Sequence, residues 1–192
     1  MLSATGDAIA MVEPLNADLI DMDLINTQLH SMILPSGLGQ YCNPGVGSAY
    51  LVNQDGVRFT NEQGNAWDLM QAMKENERQY LVMDQASFDA FNQAMINSAI
   101  YTQDDVTTWL ANDGQGNPFM VSAESMEVLA EKLDVPSDAL VKTMNQYNMD
   151  AANGSDSYNR TINSSISVEC PYYALQMYIR YYASLGGLHI ND

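Results

Sequence analysis

The residues of this chain that could do chemistry are few, and their spacing matches no familiar reaction centre. His30 and His189 are its two histidines, and neither has a cysteine or a carboxylate at the spacing of a metal site. Cys42 and Cys170 are too few and too far apart for a metal site or a disulfide framework. The sequence therefore predicts no metal ion, and the low cysteine count favours a reducing compartment.

A glycine-rich segment and two tyrosine pairs are further candidates for a site. Gly45-Val46-Gly47 lacks the preceding strand and the following helix that a dinucleotide-binding fingerprint needs. Two tyrosine pairs, Tyr172-Tyr173 and Tyr181-Tyr182, are more unusual. Neighbours on a strand point to opposite faces, so one tyrosine of each pair is expected in the core, and the other could face a cleft.

The elements that must position these residues follow from hydrophobic spacing and turn signals. Helices are predicted at 7–12 (capped by Thr5), 66–77, 88–96, 104–110, 126–133 and 136–153. Strands are predicted at 17–29, 79–83, 171–177 and 181–190, with a polar loop at 31–47. Strands at both ends with helices between them favour an α+β fold over an alternating βαβ pattern.

Length and charge narrow the class of protein. The chain has 192 residues, which is enough for one domain with a sizeable core, or for one domain plus a small appendage. Its 24 acidic and 7 basic residues give a net charge of -17, which argues against binding nucleic acid or an anionic membrane surface. No apolar run approaches the roughly 20 residues of a membrane helix, so we expect no membrane span.

The segment 50–62 (YLVNQDGVRFTNE) predicts a hairpin with a two-residue turn at Asp55-Gly56, in which both residues would take a positive φ. Its second arm ends in a polar cluster, Arg58 with Thr60-Asn61-Glu62, that a hairpin serving only the core would not need. This segment resembles the "LVN…GkRFvNE" segment of the flavoprotein family that contains fumarate reductase and succinate dehydrogenase. Four more segments resemble that family in its order along the chain: 4–7 with 17–22, 80–84, 129–133 with 147–148, and 171–174 with 185–190.

The resemblance implies the mobile capping domain of this family, which is an α+β domain with a β-hairpin and a small sheet packed by several helices. It places a flank of the FAD-binding domain at 1–20, the capping (substrate) domain at 21–180, and the strand returning to the FAD-binding domain at 181–192. We therefore expect a fragment that does not hold FAD alone and whose first partner is the FAD-binding domain of its own chain. The cytoplasm is the default location, and export stays open because a signal would lie upstream.

Family substrate positions carry over onto different residue types here. The first substrate histidine falls on Gln28, or on His30 if the register shifts by two. A Thr-Glu pair falls on Tyr41-Cys42, and a relay arginine on Gly45. The proton-donating arginine falls on Ala66 or, with one inserted residue, on Trp67.

At the C-terminal end the second substrate histidine falls on Tyr182, and the flavin-contacting residue beside it on Ala183. Asp7 matches the acidic residue that contacts the cofactor in the family. The resemblance also implies that Arg58, with Asn61-Glu62, pins the segment leading to the substrate cleft. The alternative is that Arg58 forms a charge-assisted pair whose only role is to anchor the turn.

These replacements argue against fumarate, because burying a dicarboxylate without paired cations would cost several kcal/mol. Tyr182 and Tyr41 could polarise a carbonyl or supply a proton, and Trp67 could form an apolar wall. That set suits a C=C bond conjugated to a neutral carbonyl or to an aromatic acid, as in the steroid and urocanate branches of the family.

Three functions stay open at this stage. The first is the capping domain of an FAD-dependent reductase or dehydrogenase that acts on a CH–CH bond of a small-molecule substrate, with an unidentified electron donor. The second is a catalytically degenerate cap that serves as a binding or interaction module, since every family acid–base residue is replaced. The third is a stand-alone acidic domain.

Overall fold

The computed structural model of the chain describes residues 6–169 and 171–189, excluding the side chains of residues 27–30 and 182. The helices are α1 (Asp7–Val12), α2 (Ala66–Lys74), α3 (Gln85–Asn97), α4 (Gln103–Ala111), α5 (Met126–Leu133) and α6 (Ser137–Asn153), with a 3₁₀ turn at Glu13–Leu15. The strands are β1 (Leu19–Ile20), β2 (Ile25–Ile33), β3 (Gly39–Tyr41), β4 (Tyr50–Asn53), β5 (Gln79–Asp84), β6 (Met120–Ala123), β7 (Tyr172–Ser184) and β8 (Gly187–Leu188). This mixture of helices and strands confirms the predicted α+β class. None of the described helices is long and apolar enough to cross a membrane.

The chain divides into two compact units. Unit 1 is formed by the residues up to Gln28 and from Tyr181 onward, and unit 2 is Leu29–Arg180. In unit 1, β1 and β8 pair antiparallel, with Leu19 opposite Leu188. A Cβ on Gly186 would lie 2.5 Å from the backbone of Asp21, so this strand connection requires glycine.

A six-stranded sheet has the order β3-β2-β7-β5-β4, with β6 also paired to β7. Strand β5 runs antiparallel to β7 with Leu81 opposite Leu175, and β6 is antiparallel to the same part of β7, with Met120 opposite Leu175. Two strands pairing with one residue must lie on opposite edges of β7. The long strand β7 is therefore the centre of the sheet.

Helices cover both faces of this sheet, so both sets of alternating side chains are buried. One core cluster joins the sheet to α2, α3 and α4, and contains Leu81, Met83 and Leu175. The other joins the sheet to α5 and α6, and contains Val82 and Ala174. The buried methionines belong to these clusters, in line with their interpretation as core residues.

The helix ends follow their capping residues. The side chains of Asn65, Asp84, Thr102 and Ser125 each accept a backbone N–H at the start of a helix. Gly154, with φ +80°, ends α6 as predicted. Helix α1 is capped by Gly6 without a side-chain bond, and the predicted cap Thr5 lies outside the described residues.

The strand predictions need four corrections. The predicted loop at 31–47 contains the end of β2 and all of β3, and the predicted strand at 17–29 is split between β1 and β2. Strand β6 was not predicted, because four residues give too short a period-2 signal. The two predicted C-terminal strands are mostly one, β7.

The first tyrosine pair separates as strand geometry requires, but not into core and cleft. Tyr172 and Tyr173 lie on opposite faces of the sheet, and both are buried because helices cover each face. Tyr181 is exposed. The side chain of Tyr182 lies outside the description.

The predicted hairpin forms with a wider turn. The N–H of Asn53 donates to Val57 O, and the N–H of Gly56 donates to Asn53 O, each at 3.0 Å, so the loop has three residues. Of the two predicted turn residues only Gly56 has a positive φ, +71°. The Asn53 side chain accepts the N–H groups of Asp55 and Val57 at 3.1 Å, which favours the wider loop. The second arm pairs only at a single bridge to Arg58.

Candidate functional site

A groove of about 320 Å³ in unit 2 brings together several positions that the sequence analysis marked. One wall, the 41–45 wall, contributes Tyr41, Asn43, Pro44 and Gly45 from the segment after β3. The other wall, the 62–66 wall, contributes Glu62, Gln63, Gly64 and Ala66 from the segment that leads into α2. The two segments are the ones that the family resemblance assigns to the substrate.

Local hydrogen bonds shape each wall. Asn43 Oδ1 accepts the Gly45 N–H at 2.9 Å in the first wall. Asn61 Oδ1 accepts the Gln63 N–H at 2.9 Å in the second. Asn65 then caps α2 by accepting the Asp68 N–H at 3.0 Å. Both walls are therefore set by short polar turns of the kind that asparagine favours.

The walls also contact each other at the groove surface. Gln63 Nε2 donates to Gly45 O at 3.3 Å. A Cβ added at Gly45 would lie 2.9 Å from Gln63 Cγ and 3.2 Å from the Glu62 carbonyl oxygen. Position 45 therefore has no room for a side chain in this packing, and the family relay arginine could not occupy it without moving the opposite wall.

Behind the groove, the Glu62 carboxylate accepts four hydrogen bonds. Its Oε1 accepts from the Leu51 N–H at 2.8 Å and from Arg58 Nε at 2.9 Å. Its Oε2 accepts from Arg58 Nη2 at 2.9 Å and from Arg160 Nη1 at 2.7 Å. A carboxylate with four donors and almost no exposure is a structural anchor, and it has no capacity left to act as a general base.

Two arginines and two carboxylates form the buried network around Glu62. Asp156 pairs with Arg58, and its Oδ1 accepts the N–H groups of Tyr158 and Arg160 at 2.9 Å. Burial opposes the charge of Arg58, but the hydrogen bonds and attraction of Glu62 and Asp156 outweigh it and raise the pKa of its guanidinium. The contacts of Arg58 therefore match the alternative in which it anchors the turn through charge-assisted pairs.

The predicted substrate residues Tyr41 and Cys42 have different surroundings. Tyr41 lines the groove and is half exposed, whereas the Cys42 side chain is 1% exposed and its thiol donates to Met177 Sδ at 3.7 Å. Burial raises the pKa of the Cys42 thiol to about 12. Cys42 therefore lies in the core behind Tyr41 and presents no thiolate to a ligand.

Trp67 lies in the first turn of α2, directly after the groove residue Ala66, and its side chain is 64% exposed. An exposed indole at this place could form an apolar wall for a ligand that is larger than the groove. The side chains of three other predicted residues, Gln28, His30 and Tyr182, lie outside the description, so their assignments stay predictions.

The two residues assigned to FAD, Asp7 and Ala183, are exposed and belong to unit 1. Asp7 begins a helix of only six residues. An exposed carboxylate and an exposed strand residue can contact the edge of a flavin.

Sequence reasoning missed Arg160 and Asp156, which complete the network behind the groove. Arg160 is 98 positions from Glu62 in the chain, so no local spacing could connect them. Asp156 and Arg160 lie in a polar loop without a periodic pattern. The one available signal was the scarcity of cations, since each of only seven is a candidate for a specific partner.

The lining of the groove, as far as the structure describes it, is chemically neutral. Its described lining contains no arginine, lysine or histidine, and its one carboxylate is held by two guanidinium groups. The other polar side chains of the lining are the Tyr41 phenol and the amides of Asn43 and Gln63. Such a lining can orient a neutral carbonyl by hydrogen bonds, and it lacks the cations that two carboxylates would need.

Comparison with known proteins identifies the family. The chain is 27% identical to urocanate reductase of Eggerthella lenta over 99% of its own length and 30% of that protein. It is 26% identical to NADH:acrylate oxidoreductase of Vibrio harveyi over 97% of its own length and 18% of that protein. The chain thus spans less than a third of the length of these curated relatives.

A solved structure shares the fold. The open conformation of a flavocytochrome c3 fumarate reductase matches with a TM-score of 0.72 at 21% identity, over 100% of this chain and 31% of that one. The model of the FAD binding domain family matches residues 1–192. Because that match covers the whole chain, this protein belongs to the FAD binding domain family, and FAD is the cofactor of the intact protein.

Proposed function

We propose that this chain is the capping, substrate-binding part of an FAD-dependent reductase or dehydrogenase that acts on the C=C bond of a substrate other than a dicarboxylate. When bound, FAD would supply hydride transfer to or from one carbon of that bond, and the FAD-binding half of the protein would hold most of the cofactor. The groove between the 41–45 wall and the 62–66 wall holds the group conjugated to it. An unidentified donor supplies the electrons for reduction.

The neutrality of the groove is the observation that carries this proposal. A dicarboxylate leaves water only for a site with paired cations or several strong donors. The described lining offers Tyr41, Asn43 and Gln63 instead, and the charge of Glu62 is already matched by Arg58 and Arg160. A neutral carbonyl, or an aromatic acid with one carboxylate, suits that lining better than fumarate.

The relatives support the same substrate class. Urocanate reductase and NADH:acrylate oxidoreductase are named for compounds in which a C=C bond is conjugated to a single carboxylate. Identity of 27% and 26% with these proteins supports a shared reaction type and leaves the substrate to experiment. Trp67, exposed beside the groove, is the proposed wall for a ring on such a substrate.

The exposed surface of unit 1 supports the proposal that another domain packs against it. Large apolar side chains of this small unit are exposed, among them Met11, Leu15, Ile25, Tyr181 and Leu185. Exposed apolar side chains in this number indicate a surface that another domain covers. We assign that role to the FAD-binding half, with 1–20 and 181–192 as its flanks and 21–180 as the cap, so the isolated chain is not expected to retain FAD.

The proposed roles follow from position and chemistry. Tyr182 polarises the carbonyl or supplies the proton, and Trp67 and Tyr41 position the substrate. Gln28 or His30 provides a further hydrogen-bond donor for the substrate. Asp7 and Ala183 contact the flavin. Because the family model describes the whole chain as FAD binding domain, the separate capping role of 21–180 is part of the proposal.

The test uses the full-length protein, purified, scanned in visible light and reduced with dithionite under nitrogen. We expect flavin bands that return when urocanate, another aryl acrylate or a cyclic enone is added, and no reoxidation by fumarate. Tyr41→Phe should then raise KM for the active acceptor, because it removes a phenol donor from the groove. Thr107→Val, which removes an exposed hydroxyl from α4 outside the groove lining, is the control and should leave KM unchanged.

Two results would contradict this proposal. Reoxidation by fumarate at least as fast as by the acrylate or enone would show that the neutral lining does not set the substrate class. Flavin bands without reoxidation by any acceptor would favour the second candidate, a degenerate cap that acts as a binding module. The replacement of every family acid–base residue is the observation that favours that candidate.

A further inference from the structure

The two walls of the groove are tied together from behind by one buried side chain, Arg160. Its Nη1 donates to Glu62 Oε2 at 2.7 Å, at the start of the 62–66 wall. The same nitrogen donates to Ala49 O at 2.7 Å, and Nη2 donates to Gly47 O at 3.1 Å. Gly47 and Ala49 lie two and four residues after Gly45, the end of the 41–45 wall, so a single guanidinium joins the segments that hold both walls.

The chain around Arg160 holds its side chain in place. The Asp156 carboxylate accepts the Arg160 N–H, and the Ser155–Thr161 bridge closes the loop that carries both residues. The guanidinium carbon of Arg160 lies 5.5 Å from the centre of the Tyr147 ring. With 1% exposure, Arg160 has no access to the solvent and cannot contact a ligand itself.

The segment that Arg160 holds is also fixed from its other side. Ser48, between Gly47 and Ala49, donates its hydroxyl to Asp84 Oδ2 at 2.8 Å and its N–H to Ser87 Oγ at 3.0 Å. The 47–49 segment therefore has one rigid partner at the start of α3 and a second in Arg160. Only the second connects it to the 62–66 wall.

Arginine chemistry explains why one residue can do this. Its planar fork presents several donors in fixed directions, so it can reach two carbonyl groups and a carboxylate at once. A lysine ammonium offers a single point charge on a flexible stem and cannot reproduce all three contacts.

From this geometry we propose that Arg160 is a positioning residue that sets the separation of the two groove walls and so controls substrate binding. The catalytic consequence rests on the function proposed above, because the groove must be the substrate site for its width to matter. The hydrogen bonds by which Arg160 connects the two walls do not depend on that function, and they are tested separately.

The first measurement is amide hydrogen exchange on the full-length protein, comparing wild type with Arg160→Met and Arg160→Lys. Loss of the tie should raise exchange in both walls and at their supports, including the Ser48 and Leu51 amides, by about tenfold or more in Arg160→Met. Arg160→Lys should fall between wild type and Arg160→Met. The matched control is Arg78→Met, which removes an arginine from the exposed pair with Asp134 and should leave the walls unchanged.

The second measurement is steady-state kinetics with the acceptor that reoxidises the wild-type flavin. We expect KM to rise by about tenfold or more in Arg160→Met while kcat stays within about threefold, with Arg160→Lys intermediate. A residue that only stabilised the fold would lower the active fraction, and so kcat, without changing KM.

The outcomes separate the two proposals. If no acceptor reoxidises the wild-type flavin, the proposed function fails, and hydrogen exchange alone still decides whether Arg160 ties the walls. The positioning role is overturned if exchange in the walls does not change, if exchange rises throughout unit 2 instead, or if KM is unchanged in both variants. Where Arg160→Met does not fold, Arg160→Lys decides.

Discussion

The Glu62→Gln substitution removes one negative charge from the buried network with almost no change in volume. The wild-type network contains two guanidinium groups, Arg58 and Arg160, and two carboxylates, Glu62 and Asp156, so its charges sum to zero. With glutamine at position 62 the sum becomes +1 in a region that water does not reach. A net charge in such a region is destabilising.

The size of the effect follows from the hydrogen bonds. A glutamine oxygen can replace Oε1, which accepts from the Leu51 N–H and Arg58 Nε. The amide nitrogen would replace Oε2 and face the donors of Arg58 and Arg160, so two charge-assisted hydrogen bonds are lost. At about 1.5–3 kcal/mol each, the loss is about 3–6 kcal/mol, which agrees with the roughly 3–5 kcal/mol typical of a broken buried ion pair.

Urea unfolding followed by tryptophan fluorescence measures this loss. Trp109 is buried in the core cluster on α2, α3 and α4, so its emission reports unfolding, while exposed Trp67 changes little. With a slope of about 2 kcal/mol per molar urea, a loss of 3–5 kcal/mol lowers the midpoint by about 1.5–2.5 M.

Asp134→Asn is the matched control, because it makes the same carboxylate-to-amide change in the exposed pair with Arg78. Its midpoint should stay close to wild type, since surface ion pairs contribute little to stability. If Glu62→Gln unfolds at the same urea concentration as Asp134→Asn, the network does not anchor the hairpin. Glu62 would then be available for a role in the groove.

Two further predictions concern groups whose pKa is shifted by the fold. At pH 8 the native Cys42 thiol should react with a maleimide at least about 100-fold more slowly than in urea, because it is buried and its pKa is raised to about 12; equal rates, measured by peptide mass spectrometry, would contradict this burial. Burial opposes the charge of Asp84, but hydrogen bonds from the Ser167 and Ser87 N–H groups and the Ser48 hydroxyl outweigh it and lower its pKa. Its carboxylate therefore stabilises the fold above the unfolded-state pKa of about 3.9, and this contribution is lost as the pH falls through the lower folded-state pKa. The difference in unfolding free energy between wild type and Asp84→Asn should be constant near pH 6–7 and shrink below about pH 4; a difference that grows on acidification would refute the sign.

The family resemblance directed attention to the groove but could not describe it. The positions carried over from the family, Tyr41, Gly45 and Ala66, do line one groove. Cys42, their neighbour in sequence, lies in the core, because adjacent residues at the end of a strand point in opposite directions. Which of the two side chains faces the groove depends on what packs behind the strand, and local sequence does not encode that.

Several features were determined by the sequence alone. The helical spacing of apolar residues and the capping residues located α2 to α6, since these signals act within a few residues of each other. The helix that begins at 137 ends at Gly154, as predicted. The ordered set of family segments indicated the flavoprotein family over the whole chain, in agreement with the family match to residues 1–192.

The tertiary structure decided the rest, for one physical reason. Short strands such as β6 are stabilised by partners distant in sequence, and Tyr172 and Tyr173 are both buried because helices from separate segments cover the two faces of the sheet. Arg160 reaches Glu62 across 98 positions and so joins the supports of both groove walls. Contacts over such separations depend on how all the elements pack together, and no local pattern of residues records them.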